Sequence, residues 1–322
     1  FTVSEHSKAY YGQVDFKDLM IFGNPLRGNV GARFVTTDIY SKAHALQGDI
    51  LTATSSYNDF LPSANLVYNL TDDMLLRISG AKVMARPSLL YLAPSITAMS
   101  IPSGSGATTG ATMASGNPNL KPYRAKTFDM GYEWYFDKGA VLAVTGFVKW
   151  VSSNPQVVVS SGSISDFLTT DQLSSVESYY AANSSATNDN ILLYLQGNNA
   201  MTATRAENGP GGVLEGIEIT YQQHLDFVPA WFGGDGFGVN ANYTKIHSVQ
   251  HYIINSTATT KTMADGPWNG ASPDAWNLTL YYDGSNWSTR VSSACRSGEL
   301  YGFPVAGGSD VRGYGNSALV ND

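Results

Sequence analysis

Alternation of apolar and polar side chains is the clearest pattern in this chain, and it is longest within residues 116–151. From Phe128 to Phe136 every second side chain is large and apolar, and the positions between include Asp129 and Glu133. A turn of Asp, Lys and Gly follows, and the return segment alternates in the same way. A two-residue period places successive side chains on opposite faces of a strand. The stretch therefore predicts an antiparallel hairpin with one apolar, aromatic face and one polar face.

The length of the hairpin arms favours a membrane protein over a soluble β-sandwich. Each arm is about as long as the ~9–11 residues that a tilted strand needs to cross a bilayer, whereas strands of soluble proteins average ~5–6 residues. Aromatic side chains lie near both ends of the apolar face, as membrane–water interfaces favour. The hairpin is typical of a transmembrane β-barrel.

The same alternation predicts about ten strands along the chain, and their connections alternate in length. The short connections are residues 17–25, 71–73, 137–139, 228–235 and 283–285. The long connections are residues 38–60, 87–123, 152–212, 247–274 and 298–322. Outer-membrane barrels have short periplasmic turns and long extracellular loops. We therefore predict an all-β fold, a portion of an antiparallel transmembrane barrel. Lys82 is an irregularity, because the alternation places this charged side chain on the apolar face of its strand. Its position predicts a bulge there or the end of the membrane-spanning part of that strand.

Composition agrees with this prediction and narrows the partners. Only 14% of residues are charged, against ~25% in ordinary soluble domains, and no apolar run approaches the ~18 residues of a membrane helix. The net charge of −7 and the absence of a basic cluster argue against nucleic acid as a partner. The single cysteine, Cys295, cannot form an internal disulfide or a zinc site.

Several motifs, in this order, give the chain a family resemblance. They are YNDFLPSANLVYNLTDDMLLRISGAKVMARPS, GNPNLKP, FDMGYEWYF, GFVKW, GGVLEGIEITYQQ, GFGVNANYTKIHS, WNLTLYYDG and RVSSACRSG. The chain resembles the barrel of TonB-dependent outer-membrane receptors from about residue 5 to 300, closest to the proteobacterial branch associated with uptake of oligosaccharides or other nutrients. Each motif is weak by itself, and the order and spacing make the match specific.

The resemblance implies a receptor larger than this chain. Family barrels have about 22 strands and a lumen filled by a plug domain, with a TonB box before the plug. We find none of the plug, the TonB box or the terminal strands here. Residues 1–322 are thus expected to be a middle portion of a longer receptor's barrel domain.

The implied function is import of a scarce nutrient across the outer membrane of a Gram-negative bacterium: an oligosaccharide or similar compound, with siderophores and cobalamin as further candidates. The implied partners are the TonB–ExbB–ExbD complex through the plug, outer-membrane lipid and the small-molecule nutrient, and the resemblance leaves room for a surface lipoprotein. A passive porin or an adhesion barrel is the alternative function. A secreted sugar-binding β-protein is the third.

Two groups of side chains are candidates for the site. Aromatic residues among Asn, Ser and Thr in the long loops suit sugars and other polar organic ligands; these are Tyr91, Tyr179, Tyr180, Tyr252 and Trp268. Polar residues on the strands are expected to line the lumen and face a plug; these are Arg33, Asp129, Glu133, Lys149, Glu218, Asn240, Asn242 and Arg290.

Enzymatic and metal chemistry find little support in the sequence. His247 and His251 have the four-residue spacing of a helical metal pair, but no helical pattern surrounds them. Asp129 and Glu133 are better explained as charges that pair across strands than as a catalytic couple. The sequence contains no nucleophile elbow, P-loop or dinucleotide fingerprint. We therefore predict no enzymatic activity, no metal site and no cofactor.

Overall fold

The computed structural model describes residues 1–44, 50–104, 110–183, 185–229, 234–257, 259–302, 313–314 and 318–321. The strands are β1 (Thr2–Ile21), β2 (Asn24–His44), β3 (Ile50–Asn69), β4 (Met74–Ala85), β5 (Ile96–Ser100), β6 (Ala111–Ser115), β7 (Tyr123–Asp137), β8 (Ala140–Ser163), β9 (Ala200–Gly209), β10 (Gly212–His224), β11 (Phe237–Thr257), β12 (Lys261–Gly266), β13 (Asp274–Asp283), β14 (Ser288–Arg296), β15 (Leu300–Gly302), β16 (Gly313–Tyr314) and β17 (Ala318–Asn321). The helices are α1 (Ile164–Phe167), α2 (Thr170–Ala181) and α3 (Ala186–Gln196), with 3-10 turns at Leu89–Leu92 and Gly234–Gly236.

The long strands form a meander within one sheet of 15 strands. Their order is β1-β2-β3-β4-β7-β8-β10-β11-β13-β14-β17, and each pairs antiparallel with the next. Within the described residues the sheet is open, with β1 at one edge. This up-and-down order is that of a barrel wall, and it confirms the predicted fold class and the approximate number of strands.

Tight turns close one rim of the sheet, which we call the short-turn rim. Between β1 and β2, Phe22 and Gly23 both have positive φ (50° and 85°), as a type I′ hairpin turn requires. Between β7 and β8, Gly139 has φ +69°, and the Lys138 N–H donates to Asp137 Oδ1 at 2.8 Å. The opposite rim, with the long connections, is the long-loop rim.

One face of the sheet keeps large apolar side chains exposed, as a surface against lipid tails requires. Cross-strand pairing aligns these side chains in rows: Tyr132 is opposite Val144, and Tyr243 is opposite both Ile219 and Trp276. We call this side the apolar face and the other the polar face. Exposed members are Val30, Phe34, Phe60, Phe128, Met130, Trp134, Trp150, Ile217, Trp276, Leu278, Leu280 and Val291.

The long connections contain much more strand than the sequence predicted. The prediction of a loop at 38–60 was wrong, because β2 and β3 continue to His44 and from Ile50 (residues 45–49 lie outside the described part). Loops were also predicted at 152–212 and 247–274, yet β8 and β11 continue to Ser163 and Thr257. Both faces meet water or other protein segments beyond the bilayer, so the ladder continues there without the apolar alternation that identifies a membrane strand.

Of the two alternatives predicted at Lys82, a bulge or the end of the membrane-spanning part, the bulge is wrong. The pairing of β4 with β7 is regular through Lys82, which lies opposite Lys126. Pairing of β4 with β3 ends at Ala81, so the strand separates from one neighbour there. Register shifts occur instead between Phe16 and Leu19 in β1 and at both ends of the β7–β8 ladder.

A small α/β subdomain covers the long-loop rim, where the sequence predicted only polar loops. Strand β9 pairs antiparallel with the end of β8 and parallel with β6, and β6 pairs with β5. Helices α1–α3 pack against these strands around a buried apolar cluster. The cluster consists of Ile101, Ala111, Met113, Ile164, Phe167, Leu168, Val176, Ile191, Leu195, Met201 and Ala203. None of the helices among the described residues is long and apolar enough to span a membrane.

The GNPNLKP motif at 116–122 joins this subdomain to the sheet. The Asn117 side chain donates to the Ala206 carbonyl at 3.0 Å, and Asn208 accepts from the Lys121 N–H at 2.7 Å. A Cβ on Gly116 would lie 2.0 Å from the Ala93 carbonyl oxygen, so only glycine permits this approach. Leu120 is buried against Ile39 of β2. The motif therefore anchors the segment before β7 on both sides.

Leu195 and Leu193 provide a test of the subdomain core within one helix. Leu195 is 1% exposed and Leu193 is 67% exposed. Truncating a buried leucine to alanine costs about 2–5 kcal/mol, so L195A is expected to speed hydrogen exchange across residues 164–203, with L193A as the matched control. Equal exchange in the two variants would contradict this packing.

Candidate ligand cavity at the long-loop rim

A cavity of about 470 Å³ opens between the outer ends of β7, β8 and β11 and the segment after β12. It brings together two predicted ligand residues, Tyr252 and Trp268, with a third aromatic residue, Tyr123. Four carboxamide side chains accompany these rings, those of Asn154, Gln156, Gln250 and Asn269. Aromatic faces surrounded by hydrogen-bonding amides form a binding surface for polar organic molecules. The described lining contains no charged side chain.

Gln156 holds the two main strands of the cavity together. Its Nε2 donates to the carbonyls of His251 (2.8 Å) and Pro210 (3.1 Å), and its Oε1 accepts from the Ile253 N–H at 3.0 Å. One side chain thus hydrogen-bonds to the backbone of β11 and of the β9–β10 connection. It does so where the strand paired with β8 changes from β9 to β10. The protein's own hydrogen bonds therefore hold this part of the cavity wall in place.

Tyr252 positions the segment that carries Trp268. Its hydroxyl lies 2.7 Å from the Pro267 carbonyl and 3.1 Å from Asn269 Oδ1, and it accepts from the Asn269 N–H at 3.1 Å. The residue is 7% exposed, and burial raises the pKa of its hydroxyl to about 12. Tyr252 is therefore a neutral, fixed anchor, and its hydroxyl is engaged by the protein itself.

Trp268 and Tyr123 are the more accessible rings of the cavity. The backbone N–H of Trp268 donates to Ser248 Oγ at 3.0 Å. Trp268 itself is half-buried. Burial, aided by nearby Tyr91, raises the pKa of the Tyr123 hydroxyl. Sequence analysis missed Tyr123 because it precedes the hairpin and was assigned to a loop boundary.

The other predicted loop aromatics lie away from this cavity. Tyr91 belongs to the 3-10 turn before β5 and is close enough to Tyr123 to influence its pKa. Tyr179 and Tyr180 stack edge to face in α2, with ring centroids 5.2 Å apart. Tyr180 packs against the subdomain core, where burial raises its pKa. Helical packing thus gives Tyr180 a structural role in the subdomain.

A second cavity, of about 530 Å³, lies between the subdomain and the start of β3. Its lining is more polar and charged than that of the first, and it includes Arg205 and Asp171. The Arg205 guanidinium lies over the Phe167 ring, 5.5 Å from its centroid. The sequence contained no signal for this cavity, because its walls come from three separate connections.

The eight predicted lumen residues all lie on the polar face. Pairing places Glu133, Ala143, Thr220 and Asn242 in one cross-strand row, so Glu133 and Asn242 share a face although 109 positions separate them (242 − 133). The same register extends to the other members of the set. These are Arg33, Asp129, Lys149, Glu218, Asn240 and Arg290.

Some of these polar-face residues have partners within the sheet. Glu133 accepts a bidentate pair from Arg77 (2.5 and 3.1 Å) and a hydrogen bond from Tyr135 (2.8 Å). Asp129 accepts from Ser79 at 3.2 Å, and Asn242 accepts from Thr220 at 3.0 Å.

Other members of the set lack such partners. Arg33, Glu218 and Arg290 have no ion pair or hydrogen bond of the side chain within the described residues. The Asn240 Oδ1 atom is buried and has no hydrogen-bond donor among the described residues.

Two further ion pairs on the outer half of the sheet escaped sequence analysis. Arg124 binds buried Asp59 in bidentate fashion, at 2.5 and 3.2 Å. Arg86 pairs with Glu5 and donates to Ser7 Oγ at 2.8 Å. Each pair joins segments distant in sequence, and only the strand order brings its members together.

The two histidines do not share a site. His247 lies 3.3 Å from Glu215 and His251 lies 2.6 Å from Asp265, each across a strand pair. Within the described residues no cluster of three or more His, Cys, Asp or Glu side chains could hold a metal ion.

Glu207, on β9, gives the subdomain a pH dependence. Burial acts to raise its pKa, but the Lys261 ammonium at 2.9 Å, the Ser160 hydroxyl and Arg205 outweigh burial, so the pKa lies below its ordinary value of 4.5. A folded-state pKa below the unfolded value means that stability is present above pH ~4.5 and is lost as the pH falls through the folded pKa.

We therefore expect hydrogen exchange in β9 and β12, corrected for intrinsic rates, to rise as the pH falls below about 4.5. In E207Q this rise should be absent, because the neutral amide has no proton to gain. An identical pH response in the two proteins would show that Glu207 is not the titrating group.

Comparison with known proteins gives one family and several structural neighbours. A family model described as TonB dependent receptor-like, beta-barrel, matches residues 2–320. None of the curated proteins matches the chain. Residues of this chain superpose on a double mutant of the ferric enterobactin receptor PfeA from Pseudomonas aeruginosa with a TM-score of 0.55 and 16% identity, over 100% of this chain and 46% of that receptor.

Two other solved structures are similar to the same extent. The siderophore receptor PirA from Acinetobacter baumannii aligns with a TM-score of 0.54 and 13% identity, over 99% of this chain and 48% of PirA. The ferric-catecholate import receptor Fiu from E. coli K12 aligns with a TM-score of 0.56 and 13% identity, over 99% of this chain and 38% of Fiu. The chain spans less than half of each, and identities this low show a shared fold.

Proposed function

This chain belongs to the family of TonB-dependent receptor β-barrels of the outer membrane, and we propose that it is part of a receptor that binds a scarce nutrient outside and imports it to the periplasm. Energy would come through TonB, acting on a plug domain that fills the lumen. No bond-making step is part of this proposal. The observation that supports it best is the aromatic, amide-lined cavity at the extracellular rim.

The chemistry of the cavity supports a neutral, polar nutrient of the oligosaccharide class. Its described lining offers aromatic faces and carboxamides but no cationic side chain. Ferric catecholates are anions, and proteins recognise buried anions with Arg, Lys or oriented N–H groups. Sugars are neutral and present both apolar ring faces and hydroxyls, which match rings and amides. The nearby structures that bind siderophores share the fold with this chain at 9–16% identity, so their ligands do not decide its ligand.

Trp268 provides the direct test of the cavity. In the full-length receptor, W268A is expected to weaken binding of a matching neutral oligosaccharide about tenfold or more, because aromatic anchors carry much of the affinity in such sites. Titration calorimetry against maltose-, cellulose- and xylan-derived oligosaccharides, with ferric enterobactin as the anionic comparison, measures this. W287A is the matched control, since Trp287 is 60% exposed near the short-turn rim.

The outcomes separate the substrate class from the transport function. Binding of ferric enterobactin alone would overturn the oligosaccharide assignment and leave the receptor proposal standing. Uptake that persists in cells without TonB, together with open conductance in planar bilayers, would favour the passive porin instead. Adhesion without uptake would favour the alternative of an adhesion barrel.

The plug is proposed to meet the unpartnered part of the polar face. Arg33, Glu218 and Arg290 project there without partners in the described sheet, and a buried domain interface supplies partners for such groups. R33Q and R290Q are each expected to lower the melting temperature of the full-length receptor by about 2 °C, and to have no such effect on a barrel expressed without its plug. Equal effects with and without the plug would contradict the contact.

A further inference from the structure

An open furrow crosses the apolar face over β2, β3 and β4, with a volume of about 490 Å³. Its floor is a cross-strand row in which Val30 is opposite Ala64 and Ala64 is opposite Gly80. The next residue of the row, opposite Gly80 on β7, is the large side chain of Phe128. Small side chains in a row flanked by large ones leave a depression on a surface that otherwise faces lipid tails.

Two lysines stand at the extracellular end of this furrow. Lys82 and Lys126 line it and lie directly opposite each other in the β4–β7 ladder. Both have the parity of the apolar face, two residues beyond Gly80 and Phe128. Like charges directly opposite on neighbouring strands repel each other, so this arrangement is unfavourable without a counterion.

No protein group provides that counterion within the described residues, since neither lysine has an ion pair or a hydrogen bond of its side chain. Other basic side chains on the same face do have carboxylate partners. Lys245 binds Asp274 at 3.2 Å, and His251 contacts Asp265 at 2.6 Å. Basic groups of the β11 region thus carry their own carboxylates, whereas the lysine pair on β4 and β7 does not.

The depth of the pair identifies the anion that it would meet. Trp150 lies opposite Lys126 and is 46% exposed, as is usual for aromatic residues at a membrane–water interface. Phe128 and Met130 follow toward the membrane interior, both exposed and apolar. The lysines thus stand at the long-loop end of the apolar rows on β4 and β7, which is the end at which outer-leaflet headgroups are expected.

We propose that Lys82 and Lys126 bind a phosphate group of an outer-leaflet phosphorylated glycolipid while one of its acyl chains occupies the furrow. The phosphate oxygens accept hydrogen bonds from both ammonium groups and cancel their repulsion. The acyl chain covers the small side chains of Val30, Ala64 and Gly80. The site holds a structural lipid. It shares only β7 with the nutrient cavity, whose lining of Tyr123 and residues from β8, β11 and the segment after β12 contains none of the furrow residues.

Native mass spectrometry of the full-length receptor tests the site with defined lipids. The probes are hexa-acylated lipid A with both phosphates and the same lipid after removal of its phosphates. The wild-type receptor is expected to retain the phosphorylated lipid preferentially. K82Q/K126Q should weaken this binding about thirtyfold, from the usual contribution of two basic residues at an anionic membrane surface.

K138Q serves as the matched control, because Lys138 lies in the turn at the other end of the β7–β8 hairpin. It should bind the phosphorylated lipid like the wild type. Equal retention of the dephosphorylated lipid by the wild-type receptor would overturn the proposal without recourse to a variant. So would unchanged affinity in a folded K82Q/K126Q protein.

Discussion

The sheet of this chain depends on pairing the backbone in a medium that offers no hydrogen bonds. Within the hydrocarbon layer an unpaired N–H or C=O costs several kcal/mol, so each strand must hydrogen-bond to a neighbour on both sides. Within the described sheet the strands from β2 to β14 meet this requirement, while β1 pairs on one side only. Tight turns join several neighbouring strands, and the positive φ of Phe22, Gly23 and Gly139 allows the shortest of these turns. Because the ladder aligns side chains by parity, it also separates a face for lipid from a face for the lumen.

Outside the bilayer, water can hydrogen-bond to the backbone and relaxes this constraint. There the chain forms strand extensions and a small subdomain. Strands β2, β3, β8 and β11 continue far beyond the apolar band, since a ladder once begun is cheaply extended. The connections then build a subdomain with its own buried cluster, so that Leu195 and Val176 are as buried as any core residue. That subdomain and the GNPNLKP segment hold the rim in place, and rigid walls allow a cavity to exist there before a ligand binds.

Charge is distributed according to the same division. The cavity at the long-loop rim has a neutral described lining. Gln156 and Tyr252 support it by fixing backbone segments with their polar atoms. The polar face mixes satisfied groups such as Glu133 with unpartnered ones such as Glu218, the arrangement expected if another domain completes it. No carboxylate among the described residues pairs with the outward lysines Lys82 and Lys126, and we propose that lipid phosphate takes that place. The rim cavity, the polar face and the lysine pair thus differ in the chemical groups that a partner would have to provide.

The sequence by itself determined the strands of the membrane band, their two faces and the alternation of short and long connections. A two-residue period is a local property, so Phe128, Glu133 and Glu218 could be assigned to faces before any fold was known. The family resemblance of the chain followed from the order of such segments. Only the tertiary structure decided which distant residues meet: Tyr123 with Tyr252 and Trp268, Asp59 with Arg124, and Lys82 with Lys126. Those contacts depend on strand order and register, and beyond the bilayer no apolar period remains in the sequence to reveal where the strands end.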